Sequence, residues 1–294
     1  MIGFINLNKQ PRQTSRDGVN AVQRLVRPAK IGHCGTLDPL ATGVLVVCVG
    51  PATRLTNLVQ EASKTYIGDF RLGVSSDTED TEGQLTPLVD APPVTAAQIE
   101  SVLPEFIGEI QQIPPKFSAL KVNGKRAYDL ARRGMEVKLK ARQIQIFSLQ
   151  LTAFAYPSFQ LKIECGTGTY VRSIGRDIGA RVGSAAIMTA LQRTAIGDFL
   201  VKEAIDVADL DAQNISQHLL PVDHCLRDLK RVVLNDAQAR GLIDAQPLQL
   251  PEYTNCGRVV AVDRHGRVLA VLHHRGDSIF TPKINFSRYL NGGV

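Results

Sequence analysis

Residues 31–43 read IGHCGTLDPLATG, and they run directly into the apolar stretch VLVVCVG at 44–50. An apolar run of this length bounded by glycine is typical of a buried strand. The loop before that strand holds a single carboxylate, Asp38, among three glycines and a proline. Asp and Pro are common turn residues, so an ordinary Asp-Pro turn is one interpretation and a functional carboxylate is the other. The rest of the chain has to decide between them.

Length and composition indicate an ordinary globular protein. The chain has 294 residues, of which 44% are hydrophobic and 21% charged, which suits one large domain or a large domain with a small one. No apolar run approaches the roughly 20 residues needed to cross a bilayer. The start, MIGFINLNKQ, lacks the features of a signal peptide. These observations predict a cytoplasmic protein that does not enter membranes.

The cysteines argue against two kinds of site. There are five, an odd number, spread along the chain without a C-x-x-C pair. A disulfide framework or a structural zinc site would need paired or clustered cysteines. The sequence therefore predicts neither of them.

The net charge of +6 is unevenly distributed. Residues 116–142 contain nine Lys or Arg and only two carboxylates, interleaved with Phe117 and Tyr128. This pattern favours a basic arm that grips RNA phosphates, although a solvated surface is the alternative. Residues 77–109 contain eight Asp or Glu and no Lys or Arg. We interpret the acidic stretch that contains DTEDTEG and then APP as a mobile connection.

Strand and helix patterns alternate over residues 3–199 and change character after Val222. Strands are predicted at 3–9, 43–50, 64–74, 106–112, 142–153 and 158–168, and a strand or hairpin at 186–199. Helices are predicted at 14–27, 52–62, 95–103 and 169–183. From 223 to 294, short strands are broken by Gly and Asn turns. That segment is predicted to be a small, separate β-rich module.

Several common catalytic motifs are absent from the sequence. GTGTYVRS, at 166–173, lacks the third glycine of a dinucleotide-binding loop, and there is no Walker A motif or G-x-S-x-G elbow. Neither the His33-Cys34 pair nor the His273-His274 pair has metal-ligand spacing. A loop aspartate, a strand tyrosine, an arginine and a basic arm remain. Their spacing alone does not assemble them into a reaction.

The loop GHCGTLDPLATGVL resembles the catalytic loop of the TruB family of tRNA pseudouridine synthases. Further blocks resemble the same family in the same order along residues 3–199. They are INLNK with TS, KTYIGDFRLG with DTEDTEG, IPPKFSALKVNGKRAYDLARRG, GTYVRSIGRDIG and LQRTAIGDF. Six blocks in order identify the chain as a member of that family.

The resemblance implies an α+β fold, the pseudouridine synthase fold. In this fold a mixed, largely antiparallel sheet with flanking helices forms a catalytic cleft. A catalytic domain at 1–222 is expected, with an RNA-binding thumb at 113–143. A small β-barrel-like domain at 223–294 is expected to be a PUA-like RNA-binding domain.

The resemblance also assigns the site. Asp38 matches the catalytic aspartate, and Arg172 matches its ion-pair partner. Tyr66 matches the tyrosine that stacks on the uracil and moves a proton. Residues expected to contact the everted nucleotide or grip the RNA are His33, Tyr170, Leu191, Lys121, Lys125, Arg126, Arg132 and Arg133.

The implied reaction is isomerisation of the T-loop uridine 55 of tRNA to pseudouridine. It breaks N1–C1′ and rejoins the uracil through C5, so no cofactor and no metal are expected. The partner is tRNA, bound through its T arm by a monomer that needs no protein partner. Whether Asp38 attacks C1′, attacks C6 or removes the C2′ proton stays open. A second hypothesis is an RNA-binding protein that clamps and refolds the tRNA elbow, either instead of catalysis or in addition to it.

Three departures from the family pattern stand out. The family usually has threonine at Cys34 and tyrosine at Phe117, and KQPRQTS replaces the common K-P-x-G-x-T-S. None of them changes Asp38, Tyr66 or Arg172, so an active enzyme is predicted.

Overall fold

The computed structural model describes residues 1–91, 93–118, 120–122, 125–126 and 139–290, and of residues 121–122, 125–126 and 290 only the backbone. The strands are β1 Gly3–Lys9, β2 Ile31–His33, β3 Thr42–Val49, β4 Lys64–Leu72, β5 Val74–Ser76, β6 Leu85–Pro87, β7 Gly108–Gln112, β8 Lys121–Val122, β9 Lys125–Arg126, β10 Arg142–Ala155, β11 Ser158–Cys165, β12 Ala186–Ile196, β13 Phe199–Leu200, β14 Ile205–Asp206, β15 Arg231–Val233, β16 Leu248–Gln249, β17 Arg258–Val262, β18 Val268–His274 and β19 Ile279–Asn285. The α-helices are α1 Ser15–Val26, α2 Thr56–Glu61, α3 Ala96–Val102, α4 Val171–Arg181, α5 Asp236–Ile243 and α6 Ser287–Leu290.

A ten-stranded mixed sheet forms the main body of the protein. Its order is β14-β1-β3-β12-β4-β11-β10-β7, with β2 beside β3 and β13 beside β12. The β1–β14 and β3–β12 pairs are parallel, and the others are antiparallel. Helices α1, α3 and α4 contact its strands. This mixed, largely antiparallel sheet confirms the predicted α+β class, and it places β3, β12 and β4 side by side at its centre.

Local sequence explains where the helices begin. Thr14 caps α1 and Thr95 caps α3, and each belongs to a capping box completed three residues later by Asp17 and Gln98. Each box satisfies amide groups that the first turn of a helix leaves without partners. Both helix starts lie within one residue of the prediction.

Helix α4 packs very closely on the central sheet. A Cβ atom at Gly175 would collide with the Phe70 ring, so only glycine allows this approach. Phe70 in turn stacks on Phe159, with 5.1 Å between ring centroids. The close contact brings the first turn of α4, which carries Arg172, against β4.

The acidic stretch is not the mobile connection that was predicted. Strands β5 and β6 form an antiparallel hairpin, and residues 77–83 form its turn. Within that turn Glu79 and Asp80 are buried, with only 8% and 2% of their surface exposed. The Glu79 carbonyl accepts from the Met188 amide of β12 at 3.0 Å. Burial and cross-sheet bonding fix this turn against the site described below.

A second, five-stranded sheet occupies the C-terminal part, in the order β15-β17-β18-β19-β16. This sheet fits the predicted small barrel-like domain. One of its faces packs on α5 around Leu272 and Phe280, and the other contributes Val260 and Val271 to a hydrophobic cluster shared with the main sheet. The module therefore shares part of its core with the rest of the protein. Among the described helices, none is both long and apolar enough to span a bilayer.

Candidate active site

Asp38 lies in the loop between β2 and β3, and this loop is fastened to the start of α1. Ser15 Oγ donates to the Leu37 carbonyl at 3.1 Å and accepts from the Leu37 amide at 2.8 Å. The Ala41 amide donates to the Asp38 carbonyl at 3.0 Å. These bonds fix the backbone on both sides of the carboxylate.

Lys9 supports the same loop from β1. Its Nζ is almost fully buried and donates to the carbonyls of Gln10, Gln13 and Pro39 at 3.0, 2.7 and 3.2 Å. Burial lowers the pKa of Lys9 to about 8, although Asp38 opposes that shift. Lys9 therefore still carries its charge at neutral pH and favours the ionised form of Asp38.

Arg193 holds the loop where it rejoins the sheet. This buried side chain donates from Nε to the Val44 carbonyl at 2.8 Å and from Nη2 to the Gly35 carbonyl at 3.2 Å. Gly43 has φ of 94°, and a Cβ atom there would collide with the Arg193 carbonyl. Only glycine allows so close an approach in the left-handed region of φ.

Arg172 is the electrostatic centre of the site. Its Nε lies 3.0 Å from Asp38 Oδ2, and its Nη1 lies 3.3 Å from Asp80 Oδ2. Nη1 also donates to the Thr78 carbonyl at 2.8 Å, and Nη2 donates to the Phe117 carbonyl at 3.1 Å. One buried guanidinium thus contacts two carboxylates and two main-chain carbonyls, which compensates for its loss of water.

The Asp38 side chain is 37% exposed, whereas that of Arg172 is 7% exposed. Burial raises the pKa of Asp38, Arg172 and Lys9 oppose this shift, and Asp80 adds to it. The carboxylate is thus partly withdrawn from water but remains open to an incoming molecule. An anion held in this way can serve as a nucleophile or a base.

Tyr66 and Leu191 belong to one buried cluster next to the Asp38 loop. In the register of β4 and β12, Tyr66 lies opposite Arg193 and Leu191 lies opposite Gly68. Tyr66 and Leu191 belong to the same buried cluster as Leu37, from the Asp38 loop. Burial raises the pKa of Tyr66, and Arg193 opposes the shift. At neutral pH the phenol therefore keeps its proton and can act as a proton donor.

Tyr170 lies just before α4, which carries Arg172, and His33 ends β2, which leads into the Asp38 loop. Both main-chain groups of Tyr170, just before α4, bond to the Gln112 side chain at 2.9 and 3.0 Å. His33 ends β2, and burial lowers the pKa of its imidazole. Its Nδ1 is buried. A neutral imidazole is suited to stacking.

The basic residues of the arm are only partly described. Lys121, Lys125 and Arg126 lie in the short antiparallel pair β8–β9, of which the structure describes the backbone. Arg132 and Arg133 lie outside the described residues. Within the parts that the structure covers, no group of side chains could hold a metal ion.

Sequence reasoning missed three residues that hold the Asp38 loop or its partner Arg172. Lys9, Asp80 and Arg193 were each inside a quoted block but received no role. Their contacts join residues that are far apart in sequence. The separation is 92 positions between Asp80 and Arg172, and 149 between Arg193 and Val44. A clue in the sequence was the presence of ionisable residues beside strands that are otherwise apolar.

Comparison with known proteins gives consistent matches. Residues 23–171 match the family model of the TruB family pseudouridylate synthase N-terminal domain. A tRNA pseudouridine synthase B of Dehalococcoides mccartyi is 38% identical over 287 residues, which cover 96% of this chain and 95% of the relative. Another, of Clostridium kluyveri, is 38% identical over 244 residues, which cover 83% of this chain and 84% of the relative.

Solved structures agree at the level of the fold. A chain in the structure of a Cbf5–Nop10–Gar1 complex superposes with a TM-score of 0.72 at 23% identity, covering 94% of this chain and 79% of that one. A chain of an archaeal box H/ACA sRNP Nop10–Cbf5 complex gives a TM-score of 0.69 at 20% identity, covering 99% of this chain and 82% of that one. At these identities the likeness concerns the fold alone.

Proposed function

The chain belongs to the TruB family of pseudouridylate synthases, and we propose that it isomerises uridine 55 in the T-loop of tRNA with Asp38 as its catalytic carboxylate. Its fold is the pseudouridine synthase fold, and as a tRNA pseudouridine synthase it is an isomerase. What remains to be assigned is the role of each side chain and the position of the uridine.

The chemistry sets clear demands on the site. The N1–C1′ bond breaks, the uracil turns, and C5 bonds to C1′ and then loses its proton. N1 takes up a proton in place of the one that C5 loses, so the product is an isomer of the substrate. The enzyme therefore has to supply a group that starts the cleavage, a surface on which the uracil turns, and a proton acceptor.

The ion pair between Asp38 and Arg172 is the single observation that carries the proposal. Burial raises the pKa of Asp38, and the adjacent guanidinium opposes that shift and so favours the anion. That anion is available to attack C1′ or C6, or to take the C2′ proton. Each of these steps needs a partly exposed carboxylate, and Asp38 provides one.

Tyr66 and Leu191 are proposed to contact the uracil. A phenol offers a flat face for stacking and a proton for transfer. Leu191 would provide an apolar wall next to it, since both residues lie in one cluster. Tyr170 and His33 are proposed to contact the flipped-out nucleotides, because base eversion costs a few kcal/mol that such contacts repay.

The whole protein is proposed to act as a cytoplasmic monomer on the T arm of tRNA. The basic arm would hold the phosphates, and Lys121, Lys125, Arg126, Arg132 and Arg133 are the residues assigned to that role by the sequence. The domain division at 222 and 223 belongs to the same proposal. The five-stranded C-terminal sheet, with a hydrophobic cluster of its own, supports it.

The decisive experiment measures tritium release from C5-labelled uridine in a tRNA transcript, because bond formation at C5 expels that hydrogen into water. Asp38→Asn keeps the size of the side chain and removes its charge, so release should fall at least about 100-fold while tRNA binding survives. Asp209→Asn, a substitution at an exposed aspartate, is the matched control and should behave like wild type. Release by Asp38→Asn within about tenfold of wild type contradicts the assignment.

A further inference from the structure

Residues 113–117, with the sequence IPPKF, lead from β7 towards the basic arm and are held at both ends by one helix. The Ile113 carbonyl accepts from Arg176 Nη2 at 3.0 Å, and the Phe117 carbonyl accepts from Arg172 Nη2 at 3.1 Å. The two arginines are four residues apart on α4, so they project from the same face. Two prolines between the bonded carbonyls restrict the backbone. The segment is therefore a short, stiff connection fixed by two guanidinium groups.

Arg176 is itself held by a buried carboxylate. It forms an ion pair with Glu79 Oε1, while Glu79 Oε2 accepts from Ser173 Oγ at 2.7 Å. Arg176 Nε also donates to Asp177 at 2.8 Å. Burial raises the pKa of Glu79, and Arg176 and Ser173 oppose that shift. Removing Arg176 leaves the buried Glu79 carboxylate without its charged partner.

The backbone conformation at Glu79 also indicates that its surroundings hold this residue in place. Its φ of 66° lies in the left-handed region, which residues other than glycine seldom adopt. Such a conformation persists only where the surroundings impose it, and it is often found at functional positions. Here it turns the Glu79 side chain onto α4, next to the residue Asp80 that contacts Arg172.

We propose that Glu79 and Arg176 are positioning residues for the catalytic ion pair. They fix the Ile113 end of the segment 113–117, which keeps the Phe117 carbonyl on Arg172 and so keeps Arg172 Nε against Asp38. The chain of contacts runs from Glu79 to Arg176, to the segment, to Arg172 and to Asp38, and neither positioning residue touches Asp38. The segment that leads to the basic arm thus also supports the chemistry. This inference rests on the proposed function.

The test compares Glu79→Gln, Arg176→Gln and the double variant with wild type. Single-turnover pseudouridine formation at saturating tRNA should fall about 10- to 100-fold in each single variant, because displacement by about 1 Å can cost that much. The Kd for tRNA should stay close to that of wild type. The double variant should be no slower than the slower single variant, because both substitutions break the same chain of contacts.

Arg181→Gln is the matched control. Arg181 lies on the same helix and pairs with Glu105 at 2.8 Å, but both side chains are about half exposed at 56% and 45%. It should leave the single-turnover rate unchanged. Hydrogen exchange of the amides of 116–118 gives an independent readout, which should become faster in Arg176→Gln and not in Arg181→Gln.

Three outcomes would overturn the inference. They are folded variants with the wild-type rate at saturating tRNA, a change confined to Kd, and single effects that simply multiply in the double variant. If Arg176→Gln does not fold, Ser173→Ala decides by the same measurements, since it removes only one bond to Glu79. A wild type that makes no pseudouridine refutes the proposed function itself, whereas an active wild type with unaffected variants refutes only the positioning role.

Discussion

A buried arginine is stable when its donors are occupied, and Arg172 meets this requirement with two carboxylates and two carbonyls. The contact with Asp38 is made by Nε alone. The two Nη groups set the orientation of the guanidinium plane by bonding to the 77–83 turn and to Phe117. The position of Asp38 therefore depends on groups that are remote from it in sequence.

Lysine cannot replace this arginine. An ammonium group has the charge but not the planar arrangement of donors, so Arg172→Lys cannot reach all four acceptors. We expect turnover at saturating tRNA to fall at least about tenfold, with a smaller loss of affinity.

The acid limb of the pH–rate profile of Arg172→Lys should also move to higher pH. Arg172 opposes the burial that raises the pKa of Asp38, so weakening the contact raises that pKa further. The variant should therefore lose its activity at a higher pH than wild type does.

Binding and single-turnover measurements distinguish the roles of Arg172. If Arg172→Lys loses affinity but keeps normal turnover at saturation, Arg172 acts as a phosphate contact and not as the partner of Asp38. An acid limb that does not move would contradict the electrostatic role.

Cys34 lies four residues before Asp38, but its environment gives it no chemical task. Its Sγ lies 3.0 Å from Cys48 Sγ, and both residues are fully buried. The contact with Cys48 and burial raise the pKa of the Cys34 thiol, so it stays neutral. A neutral thiol is a weak nucleophile. Burial as a small side chain explains the residue without a catalytic role.

We therefore expect Cys34→Thr to retain activity within about threefold, because a hydroxyl can keep one hydrogen bond in this place. Tritium release and the thermal midpoint should be measured together, with Cys34→Val as the variant that keeps the size and removes the bond. Inactivation of a folded Cys34→Thr protein would indicate a thiol-dependent step.

At the scale of elements, local patterns predicted most of the fold. The apolar run after the Asp38 loop indicated β3, and the helices predicted at 14–27 and 95–103 correspond to α1 and α3, which Thr14 and Thr95 cap. These features depend on neighbours within a few residues. The periodicity of burial and the bonding of a helix cap are both visible in a short window of sequence.

The structure of the turn at 77–83 could not be predicted from its local sequence. Its charges are typical of an exposed connection, yet Glu79 and Asp80 are buried because arginines of α4 neutralise them. Those partners are more than 90 residues away in sequence, at separations of 97 and 92. A local pattern cannot show which remote charge a carboxylate meets. The predicted pairing of Asp38 with Arg172 came from a family resemblance for the same reason.

The N-terminal segment supports the Asp38 loop. Lys9 and Ser15 contact Pro39 and Leu37, which flank Asp38 on both sides. The family pattern of an early lysine followed by Thr-Ser therefore has a structural reason in this chain. The change to KQPRQTS keeps both contacts, so the departure at the start of the chain leaves the support of the loop in place.

At the scale of the whole molecule, the two sheets are joined by polar and apolar contacts. Arg258 of β17 pairs with Glu61 of α2 at 2.6 Å, and Arg54 donates to the Asn285 carbonyl at 3.1 Å. Beneath them lies the shared hydrophobic cluster. Exposed ion pairs contribute little to stability, so the apolar cluster supplies most of the attachment.

The basic arm carries an excess of positive charge in the sequence, and the C-terminal module also carries exposed arginines. In the module, Arg231, Arg264 and Arg267 are already paired with carboxylates, at distances of 2.7, 3.8 and 2.7 Å. In the arm, residues 116–142 hold nine basic residues against two acidic ones. The excess charge of the arm favours it as the main contact with phosphate.

If about four basic residues of the arm meet phosphates, the logarithm of tRNA affinity should fall with the logarithm of salt concentration at a slope of about −3 to −4. Replacing Lys125, Arg126, Arg132 and Arg133 with alanine should flatten that slope and weaken binding similarly for any tRNA. The chemical step at saturating tRNA should change much less.

The matched control replaces four exposed arginines of the C-terminal module, Arg231, Arg240, Arg264 and Arg267, and so removes the same charge. If the slope reflects only net charge, both variants flatten it equally. If the arm itself binds the phosphates, only the arm variant flattens it. An unchanged slope in the arm variant, together with a flattened one in the control, would place the RNA contact in the C-terminal module.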